Sequence, residues 1–251
     1  MALYPHTLGV DLGQSADYTA LCILEEAYWL TEDQAWQLAL DSHGWVFASR
    51  MVPGQVDSAW SLNLHEYGRR PPNAPLALRH LERVELGTSY PAIVERIGEL
   101  LATPPIRLAA TPLVVDATGV GAPVVDMLKQ AGLGPTAVTI TAGFTPRYDP
   151  EQGSFSVPKR DLVTTVAVLL EQRRLLIPPD LPNADLLTRE LQAFRRKITP
   201  VGSDTYAAGR EGPHDDLVLC VALAAWYREF KATHIEQAHA QYHGSGVVMT
   251  A

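Results

Sequence analysis

Four aspartates stand where carboxylates are unfavourable. Asp11 closes the apolar run in "HTLGVDLG", and Asp116 closes "TPLVVDATG". Asp215 and Asp216 stand side by side in "GPHDDLVLCVALAAW", at the mouth of an apolar helix. A carboxylate at the end of a buried segment needs a cation or another partner. Each has a local explanation. Asp11 can begin the turn "DLGQS", and Asp116 can cap the helix that follows. Asp215 and Asp216 can favour the positive end of a helix dipole, by about 0.3–1 kcal/mol each. Taken together, the acids are better explained by divalent cations. Hard ions such as Mg²⁺ bind through a few carboxylates and substrate phosphates. Two such ions roughly 3.5–4 Å apart suit phosphodiester hydrolysis.

The elements that must hold these acids are legible in outline. "HTLGVDLG" and "DYTALCILEE" read as strands joined by the turn "GQSA", hence a hairpin. "RHLERVEL" offers a further strand. Ser89 can cap a helix with Pro91 in its first turn, along which Ile93, Ile97, Leu100 and Leu101 share a face. "TPLVVDATG" is a buried strand, "VGAPVVDMLKQAG" a helix closed by Gly132, and "AVTITAG" a short strand. Alternating strands and helices imply parallel strands with crossover helices. A Gly- and Pro-containing loop then leads to a helix in "VPKRDLVTTVAVLLEQRRLLIP". A second amphipathic helix follows in "NADLLTRELQAFRRKI", then a small hairpin in "ITPVGSDTYAAG", and then the apolar helix behind Asp216. The expected fold is a mixed α/β sheet, antiparallel hairpin first and parallel strands after it, flanked by helices.

Composition bounds the function. The chain has 251 residues, is 47% hydrophobic and carries a net charge of -8. No apolar run reaches the length of a membrane span, and "MALYPHTLGVDLG" lacks signal-peptide order. The two cysteines, Cys22 and Cys220, lie in apolar segments and read as core residues of a cytoplasmic protein. The acidic balance argues against indiscriminate nucleic-acid binding by the whole surface, but leaves local basic clusters at Lys159–Arg160 and Arg195–Arg196–Lys197.

The ordered pieces "GVDLGQSADYTALCIL", "VVDATGVGAPVVDML", "VPKRDLVTTVAVLLEQRRLLIP", "LTRELQAF" and "HDDLVLCVALAAW" span most of the chain. As an ordered set they resemble a ribonuclease H-like nuclease. More narrowly, they resemble the C-terminal nuclease domain of the tailed-phage terminase large subunit. The resemblance implies a metal-dependent endonuclease that cuts double-stranded DNA with two Mg²⁺ or Mn²⁺ ions during DNA packaging. It carries over Asp11, Asp116, Asp215 and Asp216 as catalytic, metal-ligating residues. Neighbours on a helix point about 100° apart, so Asp215 and Asp216 play different parts. Asp216 is the first choice for direct ligation, with Asp215 at a second metal, a water or His214. Lys159 and Arg160 open a helix whose N–H groups favour phosphate. With Arg195, Arg196, Lys197 and His214 they are the candidate DNA contacts. Asp17 is assigned to the turn.

The resemblance implies further partners: a separate packaging ATPase, a small terminase subunit or a portal, in the cytoplasm of a bacterial host of a phage or prophage. One feature departs from it. A full large subunit carries an ATPase motor, and this sequence has no G-x-x-x-x-G-K-[ST] motif. The chain then reads as a stand-alone nuclease, a fragment or a relative put to another use. The expected organisation is one nuclease domain over 1–232, an insertion at about 26–79, and a loose tail over 233–251. Three other readings compete. A Holliday-junction resolvase would use the same four-carboxylate chemistry on branched DNA. An actin-like ATPase or sugar kinase would use "GVDLGQS" as a phosphate loop, but needs a second such loop. A nuclease-like docking module would have no reason to keep the buried acids.

Overall fold

The computed structural model describes residues 6–13, 17–26, 51–52, 55–56, 74–104, 106, 111–119, 121–197 and 215–244. The first strands are β1 (His6–Asp11) and β2 (Ala20–Glu26). The short β3 (Met51–Val52) and β4 (Gln55–Val56) pair with each other inside the stretch read as an insertion. Then come β5 (Leu76–Arg83), α1 (Tyr90–Ala102), β6 (Leu113–Asp116), α2 (Gly121–Gln130) and β7 (Thr136–Thr141). The last elements are β8 (Arg147–Asp149), β9 (Ser154–Pro158), α3 (Lys159–Glu171), β10 (Leu175–Leu176), α4 (Ala184–Lys197) and α5 (Asp216–Gly244).

The main sheet has eight strands in the order β10-β5-β2-β1-β6-β7-β9-β8. The β1–β2 and β2–β5 pairs are antiparallel, and β1–β6, β6–β7 and β7–β9 are parallel. This is the expected hairpin followed by crossover units. Two boundaries differ from the sequence reading. β5 begins at Leu76, directly after the Pro-rich stretch, rather than at Arg79. The loop before α3 contains β8 and β9, an antiparallel pair that extends the sheet. The hairpin expected at "ITPVGSDTYAAG" lies outside the described residues.

Alternation along each strand divides the core in two. Leu8, Val10, Leu113 and Val115 face α1 and α2, meeting Ile93, Ile97, Val124 and Leu128. Ala20, Cys22, Val114 and Val138 face the other side, with α3, α4 and α5. Helix α5 is buried on every side from Asp216 to Arg228, because it lies between the sheet and α3 and α4. Burying each of Leu217, Val218 and Leu223 contributes about 1.5–3 kcal/mol. Gly9 sets how closely the helix can approach. A Cβ there would lie 2.2 Å from the Cys220 carbonyl oxygen and 2.9 Å from the Ala224 Cβ. The helix continues to Gly244, past the Ala232 end expected from its sequence.

Candidate active site

Strand parity and register bring the first two acids together. β1 and β6 are parallel neighbours with Val10 opposite Val115, so Asp11 and Asp116 follow as the next pair at their carboxyl ends. Asp11 shares its face with Gly9, and Asp116 with Val114. Both therefore point to the side that carries α5 rather than into the α1–α2 layer. Crevices at the carboxyl ends of parallel strands are a recurrent place for ligands. Asp116 is fixed locally: its Oδ1 accepts the Thr118 N–H at 2.8 Å, and the Thr118 hydroxyl accepts the Ile140 N–H at 2.8 Å. Gly121 lets α2 start against this turn, since a Cβ there would lie 2.2 Å from the Asp116 carbonyl oxygen.

The doublet at the start of α5 is divided between two roles. The Asp215 carbonyl accepts the Leu219 N–H at 2.9 Å, so Asp215 stands at the cap position and Asp216 begins the helix. The half-buried Asp215 carboxylate pairs with Lys159 Nζ at 3.2 Å. Lys159 is the first residue of α3, directly beyond the carboxyl end of β9. Asp216 is buried and pairs with Arg83 Nη2 at 3.4 Å.

The electrostatics are those of acids crowded out of water. Burial pushes the Asp11 carboxyl well above its usual range, and the charges of Asp116, Asp216 and Asp215 push the same way. The hydrogen bond between the two carboxyls pushes Asp11 up further and pulls Asp116 down. Burial also raises Asp116, against the downward pull of its bonds to Thr118 and Asp11 and of the nearby Lys159 charge. Among the described residues, no group of three or more His, Cys, Asp or Glu side chains is drawn tightly enough around one point to hold a metal ion. The carboxylates are instead engaged with one another, with Lys159 and with Arg83. Their chemistry still fits a hard divalent cation: four oxygen-donor groups at one sheet edge, three of them buried and raised or paired.

Two residues at this site were not found from the sequence. Arg83 ends β5 and shares the face of Leu81, because Ala20 pairs with it and Asp11 pairs with Ala20. Its guanidinium lies 4.6 Å from the Tyr18 ring centroid, and it hydrogen-bonds Glu190 as well as pairing with Asp216. Glu190, on α4, is only 5% exposed. Its Oε2 accepts the N–H groups of Leu217 at 3.1 Å and Val218 at 3.3 Å, satisfying donors that open α5. Burial lifts its carboxyl to about 7, against the opposing pull of Arg83. The signal for Glu190 was a charge on the apolar stripe of an amphipathic helix, at i+3 from Leu187 and i−1 from Leu191.

The remaining predicted residues are placed as follows. Arg160, beside Lys159, pairs with Asp161 Oδ1 at 3.4 Å. Its guanidinium donates to the Phe144 carbonyl and lies 4.7 Å from the Phe144 ring centroid. Arg195, Arg196 and Lys197 end α4, and their side chains lie outside the described residues, as does His214. Asp17 lies in the turn between β1 and β2, whose Gly13 N–H is held by the Thr19 hydroxyl at 3.2 Å.

The sheet order and the hairpin-first topology define a ribonuclease H-like fold. Among solved structures, this fold is similar to that of a terminase nuclease. The large terminase nuclease from thermophilic phage G20c with bound magnesium matches at a TM-score of 0.50 and 18% identity, over 90% of this chain and 82% of that one. A second structure of that nuclease gives 0.46 and 18%, over 88% and 81%. The manganese-soaked terminase nuclease domain of human cytomegalovirus gives 0.42 and 13%, over 91% and 85%. No protein-family model matches the chain, and no curated protein matches it in sequence.

Proposed function

We propose that the protein is a divalent-metal-dependent DNA endonuclease of the terminase nuclease type. The observation that carries this reading is the in-register pair Asp11–Asp116, facing the acidic start of α5. Asp11, Asp116 and Asp216 would hold Mg²⁺ or Mn²⁺, with Asp215 at a second ion. Bound there, divalent cations supply polarisation of the scissile phosphate and a nucleophile at neutral pH. The similar fold of a nuclease with bound magnesium supports the choice of a divalent ion.

The chain's own groups do the positioning. Asp116 is held by Thr118, so its carboxylate enters the site in one orientation. Lys159 stands beside Asp215 where a DNA phosphate would approach, at the N-terminus of α3, whose free N–H groups favour an anion. Arg160 and the exposed Phe144 beside it extend that contact along the strand. The substrate in this reading is double-stranded DNA, with a packaging ATPase, a small terminase subunit or a portal as protein partners in an infected bacterial cell. No described helix is long and apolar enough to cross a membrane.

The test is cleavage of supercoiled plasmid in Mn²⁺ by the wild type and by Asp116→Asn. The wild type should convert plasmid to nicked and linear forms, and the variant should not. Equal cutting by both, or none by the wild type in any divalent metal, rules the proposal out.

A further inference from the structure

Arg83 is placed to defeat the site just described. Its guanidinium is 3.4 Å from Asp216 Oδ2, and a fixed cation on a ligand carboxylate competes with any metal for the same oxygen. Glu190 offers that guanidinium another acceptor. Its Oε1 takes a hydrogen bond from Arg83 Nη2, the same nitrogen that faces Asp216. Glu190 is itself locked, because its Oε2 is held by the N–H groups of Leu217 and Val218. Those are the two residues directly after Asp216, so Glu190 is indexed to Asp216 through one turn of backbone. The Arg83 Nε has no hydrogen-bond partner among the described residues, so the guanidinium still has a donor to give if Glu190 is lost.

We propose that Glu190 is a positioning residue that draws the Arg83 guanidinium onto itself and keeps the Asp216 carboxylate available to a divalent cation. This rests on the reading of Asp216 as a metal ligand. A helix cap alone would need only the bond from Oε2. Here the second oxygen is spent on Arg83, at a place where the unopposed arginine would neutralise the third acid of the site.

The experiment is Mn²⁺ binding by calorimetry, without DNA, in mildly alkaline buffer. Glu190→Gln keeps an amide oxygen for the Leu217 and Val218 N–H groups but loses the charge that holds Arg83. It should bind Mn²⁺ roughly tenfold or more weakly, as found for outer partners of metal ligands. Removing the competing cation as well, in Glu190→Gln with Arg83→Met, should return the affinity to within about threefold of wild type. Glu190→Asp keeps the charge and should also stay within about threefold, which covers the case in which Glu190→Gln does not fold. The proposal is overturned by wild-type affinity in Glu190→Gln, by a double variant no better than the single one, or by Glu190→Asp as weak as Glu190→Gln. A wild-type protein that binds no Mn²⁺ overturns the metal reading itself, a separate and prior failure.

Discussion

Replacing Asp11 by Asn should make the metal-free protein more stable and abolish most of its response to Mn²⁺. The magnitude follows from the strand geometry. Asp11 and Asp116 succeed an in-register pair on parallel neighbours, and such strands run about 4.8 Å apart. Two full charges about 5 Å apart, at an effective dielectric constant of about 20, repel by about 3 kcal/mol. Asp216 and Asp215 add to this in the same direction. Wild-type Asp11 escapes part of the cost because its carboxyl is raised and so ionises less readily. The side chain of Asn retains the shape and can still donate to Asp116, so a gain of about 1–3 kcal/mol is expected in mildly alkaline buffer. For a chain of this size that is about 2–12 °C in Tm.

The pH dependence has a definite sign. A carboxyl raised by folding contributes stability at low pH and loses it as pH climbs through its folded value. The advantage of Asp11→Asn over wild type should therefore grow with pH. Mn²⁺ at about a hundred times its Kd should stabilise the wild type by about 2.7 kcal/mol, and the variant by far less. Thermal unfolding by circular dichroism, with and without Mn²⁺, reads both effects. A metal-free variant less stable than wild type would refute the reasoning, because Asp11 would then be a turn-forming residue whose charge is needed by the fold.

Gly9→Ala places a methyl group 2.2 Å from the Cys220 carbonyl oxygen. It should cost about 1–3 kcal/mol in urea unfolding, and weaken Mn²⁺ binding because α5 carries Asp215 and Asp216 away from β1. Glu190, lifted to about 7 by burial, should make the metal-free protein lose about 3 kcal/mol as pH rises from an ordinary carboxylate value through neutrality; urea unfolding across that range should show a shallower slope in Glu190→Gln. Lys159→Gln should raise the KM for DNA and reduce the salt dependence of binding by about one unit of slope, measured by filter binding at several salt concentrations.

The sequence reading succeeded where local chemistry and tertiary environment agree. β1, β2, β6 and β7 are short runs rich in apolar and β-branched residues, and α1 and α2 carry buried residues at helical spacing. It failed where they diverge. Residues 147–149 are polar and exposed, and Pro150 and Gly153 follow them. They form a strand only because β9 offers a free edge to pair with. β5 starts before Arg79 because Leu76, Ala77 and Leu78 are almost completely buried, although the Pro-rich stretch just before them gives no strand signal in sequence.

The acids of the site were legible because each contradicts its own surroundings. A carboxylate at the end of an apolar run is conspicuous without knowledge of the fold. Arg83 and Glu190 give a weaker signal for a physical reason. Arg83 ends a strand whose alternation already includes charges, and Glu190 stands in a helix with charged residues on both sides of it. Their contacts exist only after β5 and α4 meet the first turn of α5, in elements far apart along the chain. Gly9 belongs to the same group. As a glycine inside a strand it looks like a weakness, since it lowers strand propensity. In the fold it is the opening through which α5 reaches β1, and without that approach Asp216 cannot stand near Asp11. The acids carry the proposed chemistry and are conspicuous locally, while their spacing depends on a missing Cβ, a buried arginine and a glutamate cap that only the assembled sheet and helices bring to bear.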